Sequence, residues 1–248
     1  MLCAAELDLR GKMQTSLTMR HSGSMFKKLV LPLVIAIITL LPAAGQEKKE
    51  AQEESKPQAE KKSPPTSALS EYGALLSRVK GGDLSIDFKQ LRISWMESPE
   101  RHAAKDTEKE EKSMLKAIQE KDYQKAIQNA DVVLENEFVN LDAHRIEQIA
   151  YEELHKDEKS AFHKAVVQGL LRSIMDSGDG KSAKTAYVVI SVHEEYIVLQ
   201  VLGLRPSQQS VSHQDGHSYD VLEARKQGSD QTVKLYFNVD IPFKHYLN

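Results

Sequence analysis

The sequence predicts an α+β protein, in which an N-terminal helical layer packs against a C-terminal antiparallel β-sheet with one helix. Two observations predict this class. Apolar residues recur at helical spacing through residues 113–175, and β-branched, alternating segments follow from residue 185 onward. We expect a single folded domain over 67–248, helical over 67–176 and β-rich over 177–248, since each layer needs the other to cover its apolar face.

Amphipathic segments define the helical part. Residues 67–82 place apolar side chains at helical spacing and end in Gly81 and Gly82, which predicts a short helix closed by glycine. Residues 83–100 are apolar without a decisive period, so helix and strand both stay open there. Residues 113–175 carry a broad apolar stripe, which is typical of helices that hide one face against neighbours.

The helical part also contains a hint of repetition. The segments KDYQKA at 121–126 and KDEKSA at 156–161 lie about 35 residues apart, and each opens a helix after a polar break. Tetratricopeptide repeats have a period close to 34 residues. One to one-and-a-half copies are too few for a solenoid, so we interpret this region as a tetratricopeptide-like layer that another layer must cover.

Strand signals dominate the C-terminal part. Residues 185–192 are β-branched and predict a strand, whereas 193–204 end in glycine and favour a helix. Residues 210–225 predict two strands around the Asp215-Gly216 turn, a strong hairpin signal. Residues 232–241 alternate well enough to predict another strand.

Residues 25–45 have the layout of a secretory signal peptide. Lys27 and Lys28 precede an apolar run over Leu29–Leu41, and small residues then stand ahead of Gln46. The run is shorter than the roughly 20 residues that span a bilayer. We therefore expect export with cleavage, to the periplasm or the medium, and no stable membrane anchor afterwards.

The segments on either side of the signal peptide add little structure. Residues 1–24 show no clear periodicity and precede Met25, so we interpret them as an extension of the gene model. Residues 46–66 are charged and hold no large apolar side chain, which predicts a disordered linker. Cys3 is the one cysteine, so the expected mature chain has no disulfide and no thiol nucleophile. The net charge of −3 gives no basic excess for nucleic acid.

The segment DSGDGKS, residues 176–182, holds the ingredients of a phosphate or cation loop but the spacing of neither. A phosphate loop needs a glycine where Met175 stands, and a calcium loop needs an oxygen ligand at Gly178. We therefore expect a connector, with the helix ending near Met175, Gly178 in the left-handed conformation, and Asp179-Gly180 turning the chain.

Residues in and after this loop are nevertheless the best binding candidates. They are polar side chains and turn glycines next to the predicted sheet: Asp179, Gly180, Ser182, Thr185, His193 and Glu195. His213 and His217 are expected to face each other across the hairpin, but two imidazoles without a third ligand do not form a zinc site. We predict no metal and no cofactor, and no residue is assigned a catalytic role.

Several segments resemble the DUF4919 family of uncharacterised bacterial proteins. They include GLLRSIMDSGDGKSAKTAYVVISVHEEYIVLQVLGL, SYDVLEAR and KLYFNVDIPF in the C-terminal half, and GGDLSIDFKQLRISWMESPE further upstream. The resemblance covers roughly residues 70–248. It implies an exported protein with one folded unit, and it brings no activity, substrate, cofactor or catalytic residue.

Three functions are compatible with the sequence. We favour an exported, non-enzymatic binding or scaffolding protein with a protein partner in the cell envelope, because repeat-like helical layers commonly hold partner segments. One alternative is a hydrolase with its site at the 176–186 loop. The other is a sensor of a small ligand or metal at the histidine hairpin.

Overall fold

The computed structural model describes residues 69–226 and 231–246. Ala68–Asn248 form one compact unit. The predicted gene-model extension 1–24, signal peptide 25–45 and linker 46–66 lie outside the described residues. Within the described ranges, no helix is both long and apolar enough to cross a membrane.

The N-terminal part is helical, as predicted. Its helices are α1 Glu71–Lys80, α2 Phe88–Met96, α3 Pro99–Ala103, α4 Glu108–Gln119, α5 Tyr123–Asn136, α6 Leu141–Glu153 and α7 Asp157–Met175. Side-chain caps start several of them, as where Ser70 Oγ accepts from Gly73 N and Asp87 accepts from Gln90 N. The ambiguous stretch 83–100 is thus helical over Phe88–Met96, because its apolar residues cover the core from α2.

Two helix hairpins repeat one geometry at an offset of 34 residues. Lys121 between α4 and α5, and His155 between α6 and α7, both take positive φ values, of 59° and 55°. The flanking bonds match as well, since Asp122 N donates to Ala117 O and Lys156 N donates to Tyr151 O. Because α4, α5, α6 and α7 each pack on the next, the hairpins form a stacked layer.

The C-terminal part forms a four-stranded sheet in the order β1-β4-β3-β2. Its elements are β1 Tyr187–Val188, α8 Val192–Val201, β2 Leu204–Gln214, β3 His217–Lys226, β4 Thr232–Asn238 and α9 Asp240–Tyr246. The fold class α+β is confirmed, but the sheet is mixed and not antiparallel, because β1 pairs with β4 in parallel. The crossover through α8 and the hairpin brings β4 beside β1 in the same direction.

Two local predictions in this part have clear outcomes. The Asp215-Gly216 hairpin is confirmed, with φ values of 51° and 82° that match the tight turn joining β2 and β3. The strand predicted over 185–192 is wrong in its length, because only Tyr187 and Val188 pair with β4. Ser191 then caps α8 by accepting from Glu194 N, which ends the extended segment.

One hydrophobic core joins the helices to the sheet. Its fully buried members come from both parts: Leu91, Leu170, Ile174, Leu199, Leu222 and Phe237. Removing such side chains from water is the main favourable term in folding. The helical and β-rich parts therefore stabilise each other across this core.

Candidate functional site

The loop between α7 and β1 contains four of the predicted binding residues. Thr185 Oγ1 donates to Asp179 Oδ1 at 2.6 Å, and Lys181 N donates to the same oxygen at 3.0 Å. Ser182 Oγ lies 3.0 Å from Thr185 Oγ1, and the N–H groups of Asp179 and Gly180 both donate to Thr185 O. The hydrogen bond from Thr185 and those from Lys181 hold the pKa of Asp179 well below its usual range.

The glycines of this loop lie where a side chain does not fit. A Cβ on Gly178 would be 2.3 Å from Thr185 O, and a Cβ on Gly180 would be 2.5 Å from the Tyr187 ring. Tyr236 N donates to Gly180 O at 2.8 Å, which fastens the loop to β4. The left-handed residue is Gly180, with φ of 68°, and not Gly178 as predicted, because Gly178 allows a close backbone approach instead. The binding role of the loop stays a prediction.

The other two predicted binding residues lie on α8 and contact different elements. His193 Nε2 is 2.9 Å from Asp142 Oδ2 on α6. Glu195 is fully buried and faces Asp220 on β3. These contacts direct His193 and Glu195 toward α6 and β3, whereas the loop residues bond among themselves.

Glu194, between those two residues, forms a buried ion pair with Arg92 of α2. Arg92 Nε donates to Glu194 Oε1 at 2.8 Å and Arg92 Nη2 donates to Oε2, so the contact is bidentate. The guanidinium also donates to Ser173 Oγ and Val188 O, and Ile190 N donates to Glu194 Oε2. Because Arg92 is 1% and Glu194 4% exposed, this network ties α2, α7, β1 and α8 together inside the core.

Glu195 and Asp220 form a second buried pair with a different charge state. Burial, reinforced by the neighbouring Asp220 and Glu194 carboxyl groups, raises the pKa of Glu195 to about 9. Burial also raises the pKa of Asp220, whose Oδ2 accepts from Gln209 Nε2 at 2.7 Å. Neither carboxyl oxygen of Glu195 has a hydrogen-bond partner among the described residues, so Glu195 lies beside Asp220 without a donor to stabilise its negative charge.

A cavity of about 420 Å³ lies among α5, α6 and α7, and we call it the helical cavity. Its volume falls within the range of small-molecule sites. Its apolar wall consists of Leu134, Phe138 and Phe162, and its polar wall of Glu147, Tyr151 and His163. The lining also includes five exposed charged residues: Lys80, Asp131, Glu135, Glu158 and Lys159.

A chain of hydrogen bonds runs from the core to the helical cavity. His144 is fully buried, and burial lowers its pKa to about 3, so its ring is neutral. Its Nε2 lies 2.8 Å from Phe138 O, which can only accept, so the network places the proton on Nε2. His144 Nδ1 must then accept from His163 Nδ1 at 2.9 Å. One further proton lies between His163 Nε2 and Glu147 Oε2, which are 2.9 Å apart.

Glu147 presents an unsatisfied acceptor to the cavity. The residue is 1% exposed, and its Oε1 has no hydrogen-bond partner within the described part of the chain. Burial raises the pKa of Glu147 and nearby Asp131 raises it further, while His163 opposes the shift. Burial also raises the pKa of the Tyr151 hydroxyl to about 12, so that group is a donor at neutral pH. The polar wall can therefore hold a ligand that carries a hydrogen-bond donor.

The histidine hairpin does not have the predicted geometry. In the β2–β3 register His217 lies opposite Gln214, so the two histidines do not face each other. His217 Nδ1 is 2.6 Å from Asp240 Oδ2, and His213 Nδ1 is 3.1 Å from Ser218 Oγ. Within residues 69–226 and 231–246, no three histidine, cysteine, aspartate or glutamate side chains group as metal ligands.

Sequence reasoning missed the helical cavity, although a weak signal exists. Glu147 and Tyr151 are four residues apart on α6, as are Lys159 and His163 on α7, so each pair shares a helix face. Such spacing is also common on solvent-exposed faces. What separates the cavity from a solvated face is the burial of Glu147, which follows from the packing of three helices.

The fold and the cavity define an α+β protein whose stacked helix hairpins carry an open cavity with an apolar and a polar wall. The model of a family described as "Domain of unknown function (DUF4919)" matches residues 66–248, so the chain belongs to that family, in agreement with the resemblance noted from the sequence. No curated protein and no solved structure matches the chain.

Proposed function

We propose that this protein is an exported, non-enzymatic binding protein whose ligand site is the helical cavity. One observation carries the proposal: Glu147 Oε1 is a buried acceptor without a partner in the described residues, and it lines a cavity of about 420 Å³. A buried polar atom of this kind costs free energy until a donor reaches it. A ligand that supplies this donor gains that free energy on binding.

Two further features favour binding over catalysis. The polar groups of the 176–186 loop, proposed as a hydrolase site, bond mainly to each other, which suits a rigid connector. The cavity residues Tyr151 and His163 hold positions fixed by packing and hydrogen bonds, which favours a preformed ligand site.

The helix hairpins with an offset of 34 residues support the tetratricopeptide-like interpretation, since that repeat has the same period.

Export is the cellular part of the proposal. Residues 25–45 supply the charged start, apolar run and small residues of a signal peptide. We expect the full chain, expressed in a bacterial host, to yield an extracytoplasmic product whose intact mass is that of a chain beginning at Gln46. Ile37→Arg, which interrupts the apolar run, should keep the product in the cytoplasm. A wild-type product that stays cytoplasmic with residues 25–45 attached would contradict the proposal.

Binding can be tested with a fixed panel of amines, amino acids, carboxylates, sugars and phosphates at millimolar concentration. We expect at least one class to raise the Tm of the protein by several degrees, since ligands that bind only the folded state stabilise it. Glu135→Trp on α5 should abolish the shift by filling the cavity, whereas Gln128→Trp, exposed on the same helix but outside the cavity, should not.

The same panel distinguishes a binding protein from an enzyme. Mass spectrometry should recover each compound unchanged after overnight incubation with the protein. Conversion of a compound, lost in Glu135→Trp, would instead favour an enzyme that uses the proton between Glu147 and His163. If no compound of the panel raises the Tm of the protein and none is converted, the binding role of the cavity is refuted.

A further inference from the structure

The helical cavity has a specific chemical deficit. Glu147 Oε1 has no hydrogen-bond partner among the described residues, and the nearby Asp131 carboxyl group raises the pKa of Glu147 beyond the effect of burial. When both groups are ionised, neither can donate a hydrogen bond to the other. A group with several donors and a positive charge would satisfy both at once, and a primary ammonium has three donors and no acceptor.

The aromatic walls of the cavity already hold ammonium groups of the protein itself. Lys80 Nζ lies over the Phe138 ring at 5.6 Å from the centroid, and Lys159 Nζ lies over the Tyr151 ring at 5.0 Å. Both distances are within the range of cation–π attraction. The faces of these rings are therefore suitable neighbours for a ligand ammonium, which can also displace an exposed lysine side chain.

The charge of the residues that line the cavity also favours a cationic ligand. Four acids line the cavity, namely Asp131, Glu135, Glu147 and Glu158, against two lysines, Lys80 and Lys159. An anionic ligand would meet this acidic excess, whereas a cation is attracted by it. The apolar wall of Leu134, Phe138 and Phe162 offers contact area for an alkyl chain attached to the charged group.

We infer that the helical cavity binds a small alkylamine, with its ammonium group between Glu147 and Asp131 and its alkyl chain against the apolar wall. This inference rests on the proposed binding function and names the ligand class of that site. The ammonium donates to Glu147 Oε1 and to Asp131, while His163 keeps Glu147 Oε2 in place.

Isothermal titration of the full chain with three probes of equal length tests the inference: butylamine, 1-butanol and butyrate, at pH 7. We expect butylamine to bind at least tenfold more tightly than 1-butanol, and butyrate to bind more weakly still. Glu147→Gln and Asp131→Asn should each weaken butylamine binding about tenfold and leave 1-butanol binding unchanged. Asp131 is exposed, so its variant reports on binding even if Glu147→Gln destabilises the fold.

Glu158→Gln is the matched control, because it removes one negative charge from the same lining at an exposed position. It should change butylamine affinity less than twofold. An equal loss of affinity in all three variants would show that only the overall negative charge of the cavity matters, which would overturn the inference. Butylamine that binds no better than 1-butanol or butyrate would overturn it too, yet leave the binding function standing. If no panel compound binds, both fall.

Discussion

Arg92→Ala is expected to lower the free energy of unfolding by about 3–5 kcal/mol, because it leaves the buried Glu194 carboxylate without its ionic partner. The guanidinium also donates to Ser173 Oγ and Val188 O, so its loss removes bonds between α2, α7 and β1 as well. Urea denaturation at pH 7 measures the change, with an unchanged m-value expected if the folded state keeps its compactness.

Two variants make this expectation specific. Lys112→Ala removes an exposed ion pair, in which the side chain of Lys112 is 73% exposed and that of Glu108 is 58% exposed. This change should lower the free energy of unfolding by well under about 1 kcal/mol. Arg92→Met combined with Glu194→Gln removes both charges and should recover a large part of the loss, because an apolar or neutral pair avoids the desolvation of a lone charge. A loss below about 1 kcal/mol in Arg92→Ala would show that Glu194 is solvated or re-paired after the change.

Local sequence patterns were sufficient where local physics decides the structure. The helical period over 113–175 predicted the α4–α7 layer because an amphipathic helix needs only the spacing of its own apolar residues. Asp215 and Gly216 predicted the hairpin because few residues accept positive φ at consecutive positions. β1 was overestimated, because its length depends on β4, which is distant in the sequence.

The candidate sites depend on contacts between residues that are distant in the sequence, so local sequence patterns could not predict them. His193, Glu194 and Glu195 are consecutive polar residues, yet their partners belong to α6, α2 and β3. Arg92 and Glu194 are 102 residues apart in the chain. Nothing in the sequence distinguishes Glu194, which pairs with Arg92, from Glu195, whose pKa burial raises, since only the partner that packing supplies makes the difference.

The buried Glu195–Asp220 pair leads to a second prediction with a large effect: the free energy of unfolding falls as the pH rises from about 6 to 8. Burial raises the pKa of Glu195 in the folded protein to about 9, above the ordinary glutamate value of 4.5, so between these pH values the folded protein binds a proton that the unfolded chain has lost. The stabilisation is complete below pH 4.5 and is lost progressively toward pH 9. One such proton contributes about 1.4 kcal/mol per pH unit, or about 3 kcal/mol over two units.

Glu195→Gln should reduce the slope of this dependence, because the amide cannot ionise. We expect the variant to gain stability relative to the wild type as the pH rises, as measured by urea denaturation at pH 6, 7 and 8. Glu120→Gln, which changes a 54% exposed glutamate, should keep the wild-type slope. Equal slopes for Glu195→Gln and the wild type would mean that Glu195 ionises normally in the folded protein.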